Sequence, residues 1–263
     1  SRELLSELIA KGVRFTVASA RSIDSIRAVI TDLPISMPVI EFNGSYITDY
    51  HTGEKLHVNC IERSLNSGIY HMIQSHDLSM IVTCHENGHD HLHYDYSILG
   101  DGAIEYINYR KESGSQRLID HQDLEKVVDS NIICFNVIDE KDKVKAIHDA
   151  LIDTYGNQLE VHMMRGTYTD KWYWLNVADP KGTKGQALKV FKELYLSKED
   201  CLYVFGDNNN DIGMFEIADV PVAIENSVDI LKEMAEVTIG YNYEDSVARY
   251  VYKKAGEWVE KNR

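Results

Sequence analysis

Cysteine is scarce in this chain, and long apolar runs are absent from it. Its 263 residues include only four cysteines, which lie far apart and form no CxxC pair. Such spacing indicates a reduced protein, so we expect a cytoplasmic location. No run reaches the about 18 apolar residues of a membrane-spanning helix. We therefore expect no membrane partner.

Positive charge is also in short supply. Lys and Arg total 27 against 42 Asp and Glu, which gives a formal net charge of −15, and no basic block stands out. Binding to the phosphate backbone of nucleic acid is therefore disfavoured. A small anionic substrate is still compatible with this charge if a local cation or metal accompanies it. The sequence predicts no particular oligomeric state.

Two patterns of predicted elements divide the chain. Residues 1–60 and 171–263 alternate helices with short apolar strands, whereas residues 61–170 combine hairpin strands with helices. Strands separated by helices predict a parallel sheet with right-handed crossovers. We therefore predict an α/β fold, in which a Rossmann-like core of residues 1–60 and 171–263 is interrupted by an α+β unit of residues 61–170. No internal repeat or low-complexity linker is present.

Apolar periodicity predicts the individual elements. Helices are predicted near residues 4–9, 22–30, 62–76, 139–154, 183–195, 210–217 and 227–235, with a last helix through Trp258. Strands are predicted near residues 15–18, 38–42, 79–84, 90–95, 131–138, 159–164, 201–205 and 221–224, with a further strand that ends at Val177.

The most informative segment follows the apolar run of residues 201–205. After Gly206, two carboxylates, Asp207 and Asp211, stand four residues apart at the start of a predicted helix. Ligands of open α/β sheets bind beyond the carboxyl ends of the strands. Oxygen ligands at that place suit Mg²⁺, which uses one or two carboxylates together with substrate phosphate oxygens. The simpler interpretation, that Asp207 and Asn208 only cap the helix, stays open.

Two further residues are candidates for phosphate binding. Ser19 follows the apolar residues 15–18, where a hydroxyl beside free backbone N–H groups can hold a phosphate oxygen, although it can equally be a turn residue. Lys184 begins a predicted helix, where its charge is unfavourable by a few tenths of a kcal/mol unless an anion lies nearby. Lys181 is the competing lysine, and its place in the preceding loop favours a solvated side chain.

The segment 85–93 is rich in histidine. His89, His91 and His93 alternate and would share one face of a strand, and Asn87–Gly88 predicts a hairpin turn before them. Structural zinc sites usually gather ligands from more than one element, so histidines on an exposed strand face are the favoured interpretation. A Zn²⁺ site is the alternative.

The order of these motifs resembles the haloacid dehalogenase (HAD) superfamily, and within it the Cof-type sugar-phosphate phosphatases that carry a large inserted cap. Residues 17–21 resemble the second motif, residues 41–44 the substrate-side Asn-Gly turn, residues 184–188 the third motif and residues 206–211 the fourth. Residues 222–235 match the helix that follows the fourth motif. The resemblance covers nearly the whole chain.

Two departures from the family pattern are present. Ala20 stands where the family usually has Gly, and no Asp-x-Asp-Gly-Thr strand with the nucleophile is found in the sequence. That strand is central in the family sheet. Loss of about five buried apolar residues, at ~1.5–3 kcal/mol each, would exceed the stability of a typical domain. We therefore expect the natural protein to extend upstream of residue 1 with this strand.

The resemblance implies Mg²⁺-dependent hydrolysis of small phosphate monoesters, with sugar phosphates as the expected class and a phosphorylated metabolite as the partner. An upstream Asp would attack phosphorus and form an aspartyl-phosphate. Asp207 is implied to bind the metal directly. Asp211 is implied to orient a metal-bound water or Lys184. The residues implied to hold the phosphoryl group or substrate are Ser19, Ala20, Arg21, Asn43, Lys184 and Asn210.

Two alternatives to the phosphatase stay open. Without a nucleophile, the sequence fits a non-catalytic HAD relative that binds a phosphorylated ligand or a protein. A phosphomutase of the same superfamily is the other alternative.

Overall fold

The computed structural model describes residues 1–166 and 171–261. Its helices, in chain order, are α1 (Arg2–Ala10), α2 (Ile23–Val29), α3 (Arg63–Ser75), α4 (Asp101–Glu112), α5 (Lys141–Tyr155), α6 (Lys184–Tyr195), α7 (Ile212–Phe215), α8 (Asp229–Met234) and α9 (Ser246–Lys261). Its strands are β1 (Val39–Glu41), β2 (Tyr46–Thr48), β3 (Lys55–Val58), β4 (Ile81–Glu86), β5 (His89–Tyr94), β6 (Leu118–Asp120), β7 (Ile132–Asp139), β8 (Glu160–Arg165), β9 (Tyr173–Ala178), β10 (Tyr203–Gly206), β11 (Val220–Ile224) and β12 (Val237–Ile239). None of the helices in these described ranges combines the length and the apolarity needed to cross a membrane.

The chain divides into two compact units. We call Ser1–Val58 with Thr183–Arg263 the core unit, and Asn59–Gly182 the inserted unit. The predicted boundaries at residues 60 and 171 therefore shift, the first by two residues and the second by twelve. The second shift has a clear cause. Strand β9, which was predicted to return the chain to the core, pairs along its whole length with β7 on one side and β8 on the other.

A parallel sheet of strands β10, β11 and β12 lies in the core unit. Helices α7 and α8 connect these strands, and α6 packs beside them. The buried side chains of these elements form one apolar cluster, which includes Leu188 and Phe191 of α6, Val204 of β10, Ala223 of β11 and Leu231 of α8. Strands that alternate with helices confirm the predicted α/β class.

A second, antiparallel sheet of β1, β2 and β3 was not predicted in the core unit. The prediction of a strand at residues 15–18 was also wrong. The segment makes an isolated parallel bridge between Ala18 and Ile40, through Ile40 N–H to the Val17 carbonyl at 2.8 Å and Ser19 N–H to the Ile40 carbonyl at 2.9 Å. Two backbone hydrogen bonds hold the segment in place, but they are too few to make it a regular strand.

The inserted unit contains a six-stranded sheet in the order β6-β5-β4-β7-β9-β8. All neighbouring pairs are antiparallel except β5 and β6. Helices α3 and α5 pack on one face, against side chains such as Val82 and Phe135, and α4 packs on the other face, against Ile81 and Ile138. The predicted hairpin strands and the two flanking helices are confirmed, whereas α4 was missed.

Glu41 is a buried charge in the core unit, inside the apolar segment that leads to the Asn43–Gly44 turn. Its carboxylate is 0 % exposed and pairs with the ammonium of Lys55, whose side chain is 4 % exposed. It also accepts hydrogen bonds from the N–H of Ile23, the first residue of α2, and from the Thr48 hydroxyl, each at 2.5 Å. One side chain therefore ties β1 to α2, β2 and β3.

We predict that Glu41→Gln lowers the free energy of unfolding by about 3–5 kcal/mol, because it leaves the Lys55 charge buried without its partner. Urea unfolding followed by circular dichroism measures the change. Glu54→Gln removes the same charge from an exposed position and is the matched control. A second substitution, Lys55→Met, should restore part of the loss in the Glu41→Gln protein. Equal unfolding curves for the Glu41 and Glu54 variants would contradict this account.

Candidate active site

An ion pair between Lys184 and Asp211 lies beyond the end of strand β10. Lys184 Nζ is 2.6 Å from Asp211 Oδ1, and the two side chains are only 9 % and 4 % exposed. Thr183 fixes the start of α6, because its hydroxyl accepts the N–H of Gln186 at 3.2 Å. The lysine at this helix start therefore has a resident anion beside it, which relieves its unfavourable position.

The second oxygen of Asp211 holds the loop that follows β10. Asp211 Oδ2 accepts the backbone N–H of Asp207 at 2.9 Å and that of Asn208 at 3.2 Å. The Asn208 side chain accepts the N–H of Asn209 at 2.8 Å, and Asn208 and Asp211 form a reciprocal capping box at the start of a short 3-10 helix. The capping interpretation is thus correct for Asn208. Both carboxylate oxygens of Asp211 are therefore engaged, Oδ1 by Lys184 and Oδ2 by this loop.

Gly206 allows the loop to fold so tightly. A Cβ atom at Gly206 would lie 2.7 Å from Cβ of Asp211, closer than real contacts permit. Ser227 supports the same glycine, because its hydroxyl donates to the Gly206 carbonyl at 2.9 Å. The Asp207 carbonyl accepts the N–H of Val228 at 3.0 Å. The segment before α8 therefore positions the loop that bears both carboxylates.

A strained turn joins the other predicted residues. Phe42, Asn43 and Gly44 have φ values of +49°, +57° and +116°, three consecutive left-handed residues. This backbone brings the Asn43 N–H to the Ser19 carbonyl at 2.9 Å, and the Asn43 side-chain oxygen accepts a hydrogen bond from Nδ2 of Asn210 at 2.9 Å. For the two non-glycine residues, Phe42 and Asn43, strain of this kind costs about 1–3 kcal/mol each, and it tends to occur at functional sites.

Gly44 brings the turn against the start of α6. A Cβ atom there would lie 2.2 Å from the Thr183 carbonyl oxygen and 2.9 Å from the Lys184 nitrogen. The turn is thus in contact with Ser19, with Asn210 and with the residue before Lys184. Together with the Lys184–Asp211 pair, these contacts bring the predicted site residues to one region of the core unit.

The segment 19–21 presents both polar and charged groups. Ser19 is half-buried, and its hydroxyl oxygen accepts the N–H of Arg21 at 3.1 Å. Ala20 and Arg21 are exposed. The Arg21 carbonyl accepts the N–H of Phe42 at 3.2 Å, which fixes the segment against the turn.

Electrostatics distinguish the two carboxylates. Asp207 as a residue is exposed, yet partial burial of its carboxylate, and next the negative charge of Asp211, raise the pKa of Asp207 above its usual range, while the charge of Lys184 opposes this rise. A carboxylate held close to a second one gains stability from a bound cation. Asp207 is thus the carboxylate that a metal would favour.

Sequence reasoning missed three residues that hold this region together. Thr183 caps α6 and lies against Gly44, Ser227 supports Gly206, and Glu41 anchors the strand before the turn. A charge inside the apolar run 38–42 was the available signal for Glu41. Thr183 and Ser227 each stand just before a helix, as capping residues do. The histidine-rich segment lies in the inserted unit.

We predict that Gly44→Ala destabilises the protein more than Gly12→Ala. Both glycines have positive φ, so the backbone conformation alone makes each alanine variant less stable by about 1–2 kcal/mol. Only Gly44 has backbone atoms within clash distance, whereas nothing lies within 4 Å of a Cβ at Gly12. Urea unfolding measures both variants. The close approach of the turn to Thr183 is refuted if the two losses are equal.

We predict that Asp207→Asn stabilises the metal-free protein at pH 7. Because the folded protein raises the pKa of Asp207, its ionisation costs stability as the pH rises through the usual aspartate pKa of about 3.9. Asparagine removes that cost, and its advantage should vanish near pH 3. Asp219→Asn is the matched control, for which the change in stability should have the opposite sign. The Leu202 N–H and then Lys192 lower the pKa of Asp219. Thermal unfolding should show Asp219→Asn as destabilising at pH 7, and a destabilised Asp207→Asn would contradict the prediction.

Comparisons with known proteins agree with the predicted fold and superfamily. The family model described as haloacid dehalogenase-like hydrolase matches residues 1–251. The 5-amino-6-(5-phospho-D-ribitylamino)uracil phosphatase YwtE of Bacillus subtilis is 24% identical over 275 residues, which cover 95% of this chain and 89% of the relative. The pyridoxal phosphate phosphatase YbhA of Escherichia coli is 24% identical over 258 residues, which cover 96% of this chain and 90% of the relative.

A solved structure shows the same fold. A haloacid dehalogenase-like hydrolase from Bacteroides thetaiotaomicron superposes with a TM-score of 0.74 at 18% identity, over 96% of this chain and 90% of that chain. The prediction that the chain is an enzyme of this superfamily is confirmed. The match of the family model to nearly the whole chain establishes that it belongs to the haloacid dehalogenase-like hydrolases.

Proposed function

We propose that the core unit carries the active site of a Mg²⁺-dependent phosphatase that hydrolyses small phosphate monoesters, with sugar phosphates as the expected class. The observation that carries the proposal is the buried Lys184–Asp211 pair beside Asp207 at the end of β10. The relatives support the substrate class. YwtE and YbhA are named for a ribityl phosphate and for pyridoxal phosphate, both small phosphate monoesters.

The charges of this region favour a divalent cation. Asp207 and Asp211 oppose one lysine, so that one negative charge is unbalanced before any substrate binds. A phosphate dianion would be repelled by that charge, since like charges at about 4 Å repel by ~4 kcal/mol at an effective dielectric near 20. Mg²⁺ reverses the balance and prefers the oxygen ligands present.

Asp207 fits the role of direct metal ligand. Asp207 is the exposed residue of the two, and its pKa is raised by partial burial of the carboxylate and then by the charge of Asp211, which a bound cation would offset. Asp211 has both oxygens engaged, so its role is to hold Lys184 and the loop in place. When bound, Mg²⁺ would polarise a phosphoryl oxygen and neutralise charge that develops there.

Ser19, Ala20, Lys184 and Asn210 supply the donors for the phosphoryl oxygens. The Ser19 oxygen accepts the Arg21 N–H, which leaves its own O–H available to donate. The Asn210 amide uses one N–H on Asn43 and retains the other. Preorganised donors of this kind contribute much of the catalysis in phosphoryl transfer.

Arg21 and Asn43 are the further substrate contacts in this proposal. Arg21 is exposed and lies two residues after Ser19, so its guanidinium can meet an anionic group of the substrate. Asn43 is 7 % exposed and acts mainly by holding Asn210. The aspartyl-phosphate route expected from the family assigns all of these residues to binding and orientation rather than to attack on phosphorus.

We predict that Asp207→Asn and Lys184→Met each lower Mg²⁺-dependent release of phosphate by at least about 10²–10³-fold, the loss that follows removal of one group that stabilises transition-state charge. Phosphate release from p-nitrophenyl phosphate and from a panel of sugar and cofactor phosphates measures the effect. EDTA should abolish turnover, and added Mg²⁺ should restore it.

Lys181→Met is the matched control, because it removes a lysine of the preceding loop whose side chain is exposed. It should retain near-normal turnover. Circular dichroism establishes that the inactive variants are folded. Near-normal activity of Asp207→Asn or Lys184→Met would overturn the assignment. Tight binding of phosphorylated metabolites without turnover would favour the non-catalytic alternative instead.

A further inference from the structure

The three histidines of β5 share one face of the sheet with a cysteine and a glutamate of β4. In the register of the pair, Cys84 lies opposite His91 and Glu86 opposite His89. His93 is two residues further along β5, on the same face. The predicted turn is present, since Asn87 and Gly88 both have positive φ, at +52° and +82°.

Three potential ligand atoms of this face converge. One ligand atom each of Cys84, Glu86 and His93 lies within 4.8 Å of the other two. Cys84 and His93 are 0 % and 3 % exposed, so the favoured expectation of histidines on an exposed face is wrong for His93. The Glu86 side chain is one-third exposed and gives the cluster access to solvent. The atoms come from two strands.

His93 has one nitrogen engaged and one nitrogen directed at the cluster. Its Nδ1 is 2.7 Å from Nε2 of His121, the residue that follows β6. Its Nε2 is buried and 3.3 Å from Oε1 of Glu86, yet forms no hydrogen bond to any of the described residues. If Nδ1–H donates to His121, Nε2 presents a lone pair to Cys84 and Glu86. A metal-ligating histidine normally donates its other N–H in this way.

We propose that Cys84 Sγ, the Glu86 carboxylate and His93 Nε2 form a binding site for a divalent transition-metal ion of the zinc class, with His121 as the residue that orients His93. The mixed sulfur, nitrogen and oxygen set is the one that Zn²⁺ and Co²⁺ accept, whereas Mg²⁺ requires oxygen. With three protein ligands, a tetrahedral ion keeps one position for water.

Binding must displace one proton. Burial, first, and then the charge of Glu86 raise the pKa of the Cys84 thiol above its usual range, so the metal-free protein carries the thiol. Formation of the metal–sulfur bond releases that proton to solvent. Burial lowers the pKa of His93, which favours the neutral ring that a metal needs. The site differs in chemistry from the oxygen-rich region proposed for Mg²⁺ and does not depend on it.

Titration of the full chain with Co²⁺ tests the proposal. Excess Mg²⁺ is added first, so that it competes for oxygen ligands in the core unit. We expect one equivalent of Co²⁺ to bind with a thiolate-to-cobalt charge-transfer absorption, and Zn²⁺ to displace it. Asp207→Asn should leave this absorption unchanged. A wild-type protein that shows no such absorption overturns the proposal.

Variants identify the ligands. Cys84→Ala should abolish the absorption, and Glu86→Gln should weaken Co²⁺ binding at least about 10-fold. His121→Phe should weaken it about 10–100-fold, the usual effect of losing an orienting partner, while the absorption at saturation persists. Since Glu86 and His121 are less buried than Cys84, their variants stay informative if Cys84→Ala fails to fold.

Cys201→Ala and His89→Gln are the matched controls, because both residues are exposed and lie outside the three-atom cluster. Both should bind Co²⁺ as the wild type does. Absorption that persists in folded Cys84→Ala, or that is lost in Cys201→Ala, refutes the assigned ligands. Unchanged affinity in Glu86→Gln or His121→Phe likewise refutes the roles given to those residues.

Discussion

The buried ion pair between Lys184 and Asp211 is the interaction on which the core-unit site depends. Removing two charges from water is costly, and the cost is repaid only if their geometry is good and the remaining lone pairs are satisfied. Both conditions hold here, because Asp211 also accepts the N–H groups of Asp207 and Asn208. The pair therefore fixes the position of an ammonium and the path of a loop at once. That loop also positions Asp207.

Close backbone contacts make this geometry possible. Gly44 lies against Thr183, Gly206 against Asp211, and a Cβ at Gly185 would lie 2.7 Å from the Gly213 carbonyl carbon. Each contact is one that any side chain would disrupt. The start of α6 is therefore held on two sides, by the strained turn and by α7. Glu41 and its partners secure the strand that leads into that turn.

The sequence predicted the proximity of Lys184, Asp207 and Asp211 better than it predicted the sheets. Asp207, Asp211 and Lys184 could be found because local signals mark them: a strand end, paired carboxylates and a lysine at the wrong end of a helix. The pairing of β9 could not be found locally. Its apolar residues fit either unit, and only the long-range register with β7 and β8 decides between them. Helix α4 was missed because it begins with Asp101 and Gly102 and buries few apolar residues.

Asp211 changes what the position of Lys184 implies. From the sequence, a lysine at a helix start implied an anion nearby, and a substrate phosphate was the obvious candidate. The structure supplies a resident anion in Asp211, so the position of Lys184 is explained before any ligand binds. The position of the lysine therefore no longer argues for phosphate. What supports it is the second carboxylate, Asp207, whose pKa is raised by partial burial and then by the charge of Asp211, with only partial opposition from Lys184. In the proposed function, a divalent cation would balance Asp207, and the surplus positive charge that it brings would favour an anionic substrate.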